Sequence, residues 1–293
     1  SMNLSEESKS GELLTKCKLL TRLAGGSCAN TMRTIAWLSE RSQESIDVHY
    51  SGAVGKDLEG ELFGKILSEQ NVKPLLALKD MATGNSTIVV TPDHERTMFT
   101  CLGACRGLDE HDLDFSLLEK SRIFHTTGYM WDSPNQETAA KQAINYCREH
   151  GIMVSFDISD PFVAKRYGEE LIDWLPGKID ILFANRDELV AMTCKEGDDD
   201  DIIRCAGNFA DIVVMKVGRR GCLLMDRGEV QHVAGVSVDA RDTTGAGDTF
   251  AGGFLYGMLT GKSLIECAAM ANRIAAAMVT VEGCNFSLIG DLF

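Results

Sequence analysis

From Ser121 to Val281 the chain repeats one rhythm, a short apolar run followed by a stretch of helical length. "SRIFHTTG" (121–128) leads into "PNQETAAKQAINYCREHG" (134–151), with Pro134 near the helix start and Gly151 just past its end. "IMVSFDIS" precedes "PFVAKRYGEELIDWL", and "IDILFAN" precedes "RDELVAMT". "DIVVMKVG", "GCLLMD" and "GEVQHVAG" read as further strands. "AGDTFAGGFLYGML" and "SLIECAAMANRIAAAMVTV" read as buried helices rich in small residues. Apolar strands alternating with helices of about 10–15 residues predict a parallel sheet covered on both faces. Ligands of such sheets sit beyond the carboxyl ends of the strands.

The first hundred residues are less regular. Residues 28–41 and 57–70 have helical spacing, with Asp57 as an N-cap, and 46–54 reads as a strand. Between 72 and 102, "VKPLLAL", "NSTIVVT" and "ERTMFTCL" read as short strands, with "PDHE" (92–95) as a hairpin turn. That stretch predicts a small β-rich unit. "EGDDDD" (196–201) reads as a solvated loop and helix start. The opening Ser1-Met2 reads as a remnant of tag removal.

Composition narrows the function classes. The 293 residues suffice for one large α/β domain or two modest ones. With 29 basic against 43 acidic residues the net charge is −14, which disfavours a nucleic-acid partner. No long uncharged apolar run and no leader pattern are present, so no membrane association is expected. Ten scattered cysteines with no CxxC pair read as reduced thiols of a cytoplasmic protein. The six histidines show no HExxH spacing, so no zinc site is expected.

"GMLTGKS" (257–263) imitates a phosphate-binding loop, but Gly257 and Gly261 enclose three residues where the Walker pattern needs four. Gly261 reads instead as a helix C-cap and Ser263 as the next N-cap. No GxGxxG follows a strand. The stronger signal is "DTTGAGDTFAGGF" (242–254). Gly245, Ala246 and Gly247 let the backbone approach a ligand at a helix start, where amides and dipole favour an anion. Asp248 beside them can accept a proton from a substrate hydroxyl. "ANRDE" follows the strand "IDILF", and its Asn185 and Glu188 lie on one face of the next helical turn. They can hold hydrated Mg²⁺, or simply start a helix with an early acidic residue. In "AGGSCAN" (24–30), Gly25 and Gly26 permit close backbone approach and Asn30 can hydrogen-bond a polyol. In "KVGRRG" (216–221), Gly218 and Gly221 can border a nucleotide.

Taken in order, "GGSCAN", "GAVGKDLEG", "NRDE", "KVGRRG" and "DTTGAGDTFAGGF" resemble the PfkB, or ribokinase-like, carbohydrate kinases from about Gly25 to Gly283. "ERTMFTCLGA", "GYMWDSP" and "SDPFVAKRY" with "LPGKIDILFANRDE" look most like the adenosine-kinase branch and its bacterial sugar-kinase relatives. The resemblance implies a Rossmann-type, mostly parallel central sheet flanked by helices, with a small β-sheet lid. The core would take residues 25–71 and 105–293, and the lid 13–24 and 72–104. It implies transfer of the ATP γ-phosphate to a primary hydroxyl of a sugar or nucleoside, such as adenosine, ribose or fructose. Asp248 matches the family's base, and Gly245, Ala246 and Gly247 its anion hole. Gly25, Gly26 and Asn30 match the substrate motif. Asn185, Lys216, Gly218, Gly221 and Asn272 match the nucleotide side. Asn185 and Glu188 match the Mg²⁺ motif, mostly through water, and Asp242 and Thr243 match positions that often hold a monovalent cation, commonly K⁺.

The acceptor is open between two chemistries. Adenosine needs an apolar slot that Met98, Phe99 and Cys101 can line. A plain sugar needs a polar group such as Asp157 or Asp160. A monomer or a lid-mediated homodimer both fit. Family members also open with a "GxxxxD" strand whose aspartate grips the sugar. Residues 1–23 contain neither, and resemble the charged helical segment and lid strand that follow it. The central sheet is then expected to lack one strand. A non-catalytic nucleotide- or sugar-binding pseudokinase is the alternative reading.

Overall fold

The computed structural model describes residues 2–5, 7–90 and 96–289. The "PDHE" turn lies outside the described residues. In chain order the elements are β1 (Met2–Leu4), α1 (Glu7–Lys16), α2 (Ser27–Ser42), β2 (Val48–Gly55), α3 (Leu58–Glu69), β3 (Val72–Lys79), β4 (Asn85–Val90) and β5 (Arg96–Cys101). Then follow α4 (Phe115–Leu118), β6 (Ile123–Thr127), α5 (Pro134–Glu149), β7 (Met153–Asp157), α6 (Pro161–Trp174), β8 (Ile181–Asn185), α7 (Arg186–Thr193) and α8 (Asp199–Cys205). The chain closes with β9 (Ile212–Lys216), β10 (Gly221–Asp226), β11 (Glu229–Ala234), α9 (Ala246–Leu259) and α10 (Leu264–Met278).

Among the described residues the main sheet has six strands in the order β11-β10-β9-β8-β7-β6. Strands β6 to β9 are parallel, while β10 runs antiparallel to both β9 and β11. Both faces are covered, as near-continuous apolar strands require. Ile181 and Phe183 of β8 and Val214 of β9 point into a core with α2, α9 and α10. The alternate residues Leu182, Ala184, Val213 and Met215 point into a second core with α5, α6 and α7. The period-2 alternation of a strand thus serves two cores at once.

Local signals place the helix ends. Ser133 caps α5 ahead of Pro134, and Asp160 caps α6 ahead of Pro161. Asp57 caps α3 through the Gly60 amide at 2.8 Å. Gly261 follows α9 in the left-handed region at φ 76°, and Ser263 forms a capping box with Glu266 on α10. "GMLTGKS" is therefore a helix-to-helix turn.

The β-rich stretch divides between two smaller sheets. β3 pairs in parallel with β2, while β4 pairs antiparallel with β5, and β1 adds to β5 in parallel. Neither small sheet is hydrogen-bonded to the main one among the described residues. At the start of the chain the strand comes first and the helix second, and residues 17–26 carry no strand. A three-residue strand is too short for an alternation pattern, and its pairing with β5 lies almost a hundred residues away. Among the described residues no helix is long and apolar enough to cross a membrane.

Candidate active site

Four parallel strands end on polar residues at one edge of the sheet. Thr127 closes β6, Asp157 β7, Asn185 β8 and Lys216 β9, with Thr127 beside Asp157 and Asn185 beside Lys216 in the ladder. Two helix starts meet this edge, those of α2 and α9.

The start of α9 is built on glycine. Gly245 occupies the N-cap position at φ 75°, a left-handed conformation that favours glycine, and no side chain caps the helix. A Cβ at Gly245 would lie 3.1 Å from the Cβ of Cys284, and one at Gly247 would lie 3.2 Å from Lys216 Nζ. Uncapped amides on a small-residue turn with an ammonium group opposite suit an anion.

Asp248 sits in the first turn of α9, partly buried. Ser27 Oγ donates to its Oδ1 at 2.7 Å and Asn30 Nδ2 to its Oδ2 at 2.8 Å, both from the first turn of α2. Thr31 Oγ1 donates to the Asp248 carbonyl at 3.2 Å. Burial pushes the Asp248 carboxyl above the usual range, against the pull of Asn30, Ser27 and Lys216, and Asp157 adds to the rise. A carboxylate so held has lone pairs left for a hydroxyl and a raised affinity for its proton.

Lys216 faces Asp157, with Nζ 2.8 Å from Oδ2 and side chains only 14% and 2% exposed. Burial disfavours the ammonium, but Asp157 and Glu188 outweigh it and the lysine is held above its usual range. The other Asp157 oxygen accepts from the Ser159 amide at 2.8 Å, and Ser159 is left-handed at φ 73°. Tyr129 Oη reaches Asp160 at 3.4 Å and lies in the field of Asp248, Glu188 and Asp157.

Asn185 and Glu188 form a capping box at α7. Glu188 accepts from the Asn185 amide and from Asn185 Nδ2, each at 2.7 Å, and Asn185 Oδ1 accepts from the Glu188 amide at 2.8 Å. Glu188 is buried, and that burial pushes its carboxyl up to about 7. The pair is therefore a helix cap by geometry, with both Glu188 oxygens engaged. Among the described residues no cluster of three His, Cys, Asp or Glu side chains is arranged to hold a metal directly.

The remaining candidates fall at varying distance from Asp248. Gly25 and Gly26 are exposed at the entry to α2, with Gly26 left-handed at φ 99° and nothing within 4 Å of a Cβ at Gly25. Gly218 faces open space, but a Cβ at Gly221 would meet the Val233 carbonyl at 2.2 Å, so β11 demands that glycine. Asn272 spends its amide on the Val233 and Ala234 carbonyls, at 3.1 and 3.2 Å, and ties α10 to β11. Asp242 is buried, accepting from the Thr244 amide at 2.9 Å and the Gly283 amide at 2.7 Å, whereas Thr243 is exposed.

Sequence reasoning missed Ser27, Tyr129, and the pairing of Lys216 with Asp157. The terminal polar residue of each apolar strand was the available signal for Asp157 and Lys216. Ser27 and Tyr129 carried none, since small or aromatic residues near helix starts are common.

Residues 1–289 match the profile of the pfkB family carbohydrate kinase. An uncharacterized sugar kinase of Archaeoglobus fulgidus is 27% identical over 248 residues, 84% of this chain and 97% of that protein. The crystal structure of adenosine kinase from Sinorhizobium meliloti superposes with a TM-score of 0.90 at 30% identity, covering 98% of this chain and 87% of that one. A probable sugar kinase from Rhizobium etli gives 0.89 at 30% identity, covering 97% and 85%.

Proposed function

The chain belongs to the pfkB family of carbohydrate kinases, and from that premise we propose that it transfers the γ-phosphoryl group of ATP to a primary hydroxyl of a nucleoside or sugar, with Asp248 as base. The observation that carries this reading is the meeting of three features at one point. The Asp248 carboxylate is anchored by Ser27 and Asn30, the glycine-built start of α9 is uncapped, and Lys216 Nζ faces Gly247.

The residues present fit a nucleoside triphosphate. The turn at Gly245, Ala246 and Gly247 would receive phosphoryl oxygens, because no side chain occupies its amides, although that of Ala246 already donates to the Thr243 carbonyl at 3.2 Å, and because side chains would fill its cradle. Lys216 adds a charge on the same side, and Asp157 holds its Nζ in place. Asp248 orients the acceptor hydroxyl and takes its proton. Magnesium would neutralise phosphate charge. Asn185 and Glu188 would hold it through water, since the cap already engages their oxygens. Asp242 and Thr243 are the proposed monovalent-cation position. Gly218 would border the nucleotide, while Gly221 and Asn272 support that side through β11. Gly25 and Gly26 would admit the acceptor beside Asn30. Residues 13–24 and 72–104 are the proposed lid, and β1 adds to it through β5.

The names of the relatives support both acceptor classes, since adenosine kinase and sugar kinase structures superpose equally well. The test is turnover of adenosine, ribose and fructose with ATP and Mg²⁺ by the wild-type protein and Asp248→Asn. General-base loss is worth roughly 10²–10⁴-fold in kcat. A variant that keeps activity within a few-fold of wild type rules out Asp248 as the base.

A further inference from the structure

Arg33 plays no part in the chemistry above, yet it is among the largest fully buried side chains, at 2% exposure. A buried guanidinium must have its donors met. Its Nη1 donates to the Ala24 carbonyl at 2.8 Å and to Asn30 Oδ1 at 3.0 Å. Its Nη2 donates to the Cys284 carbonyl at 3.1 Å, and its Nε to Gln70 Oε1. The Phe286 ring lies 5.0 Å from the guanidinium carbon. Each of these acceptors is a neutral oxygen, so the arrangement is not an ion pair.

The partners belong to three separate places: the entry to α2, the end of α3 and the loop after α10. That last loop also donates the Gly283 amide to Asp242, and it sets Cys284 Sγ 3.3 Å from where a Cβ of Gly245 would be. Arg33 therefore joins the two chain segments that frame the start of α9.

Its contact with Asn30 fixes more than position. A guanidinium only donates, so the amide atom facing it must be the oxygen. The amide atom facing Asp248 must then be the nitrogen, which is what a carboxylate requires. We infer that Arg33 is a positioning residue for phosphoryl transfer, acting through Asn30 by locking the amide with its N–H toward the Asp248 carboxylate. This rests on Asp248 being the base. Without Arg33 only the ionised Asp248 carboxylate selects the amide nitrogen, and nothing holds the oxygen inward once that carboxyl takes a proton. The amide can then turn and set an acceptor against the carboxylate, which favours the protonated acid.

Several groups face Asp248 and must be held constant in any titration. Ser27, Cys28 and Asn30 approach from α2, Asp157 from β7 and Lys216 from β9. Tyr129 and Cys284 approach from the segments after β6 and α10.

The experiment follows the Asp248 carboxyl by ¹³C NMR in the full chain, assigned with Asp248→Asn. It compares wild type, Arg33→Met, Arg33→Lys and Gln70→Met. Arg33→Met is expected to raise the Asp248 midpoint by about one pH unit, tenfold in acidity, and to move the acid limb of kcat/KM with it. Arg33→Lys, lacking the fork that spans Ala24 and Asn30, is expected to move both in the same direction by less. Gln70→Met removes an Arg33 partner outside the Asn30 link, so it should lower Tm and leave the midpoint in place. If Arg33→Met does not fold by circular dichroism, Arg33→Lys decides alone. A wild-type midpoint and kcat in Arg33→Lys, or a Gln70→Met shift as large as that of Arg33→Lys, overturns the inference. Wild-type protein without turnover defeats the kinase reading instead, and the NMR titration still decides the role of Arg33.

Discussion

At the scale of single residues the site depends on charges kept in balance away from water. Lys216 and Asp157 form a buried pair 2.8 Å apart. Such a pair contributes little net stability, but removing one partner strands the other. Lys216→Met should therefore destabilise by about 3–5 kcal/mol in urea unfolding. The double variant with Asp157→Asn should regain most of that loss, because the stranded charge goes too. Recovery of stability without recovery of turnover would separate the role of Lys216 as counter-ion to Asp157 from its proposed role as phosphate contact. The same site would lose the double variant's recovery if the pair were merely a surface bridge.

At the scale of elements, the helices α7 and α9 each make a demand of their own. The capping box of α7 keeps Glu188 buried, and its carboxyl is pushed from 4.5 up to about 7. In the folded chain Glu188 keeps its proton to higher pH than in the unfolded chain, so its contribution to stability falls as pH rises from about 4.5 to 7. Glu188→Gln cannot titrate. The wild type's advantage over it should be largest at about pH 4 and shrink by up to ~3 kcal/mol by pH 8, read by unfolding at both pH values. An advantage that grows with pH would mean the carboxylate form is the one the cap prefers.

Helix α9 makes the other demand, for closeness. A Cβ at Gly252 would sit 2.5 Å from Thr34 Cβ and 2.7 Å from the Thr31 carbonyl, both on α2. Gly252→Ala must push α9 away from the helix that anchors Asp248, at about 1–3 kcal/mol and with a fall in kcat larger than any change in KM for ATP. An unchanged Tm would show that the two helices have slack the contacts do not suggest.

At the scale of the whole molecule, ten cysteines are all free, four of them fully buried and only Cys17 and Cys194 exposed. Denatured protein should react with ten equivalents of a thiol reagent without prior reduction, and native protein should react fast at only these two. Fewer than ten in the denatured state would reveal a disulfide.

The main sheet and its flanking helices were legible in the sequence because their signals are local. Apolar alternation, Ser133 and Asp160 before prolines, and Gly261 after α9 each act within a few residues. The glycine-rich turn at Gly245 to Asp248 was legible for the same reason. Partner choice was not. The pairing of β3 with β2, the three-residue β1 on β5, and the split of the β-rich stretch into two sheets depend on contacts far apart in the chain. So does the approach of Lys216 to Gly247, and so does the use of Asn272 and Gly221 in packing β11. The sequence by itself determined the layer architecture and the glycine-rich turn that carries Asp248, because both follow from short-range pattern. Only the tertiary structure decided how Asp248 is held. Its donors lie more than two hundred residues away on α2, and one of them, the Asn30 amide, also meets a buried arginine that no local pattern distinguishes from an ordinary helix-surface residue.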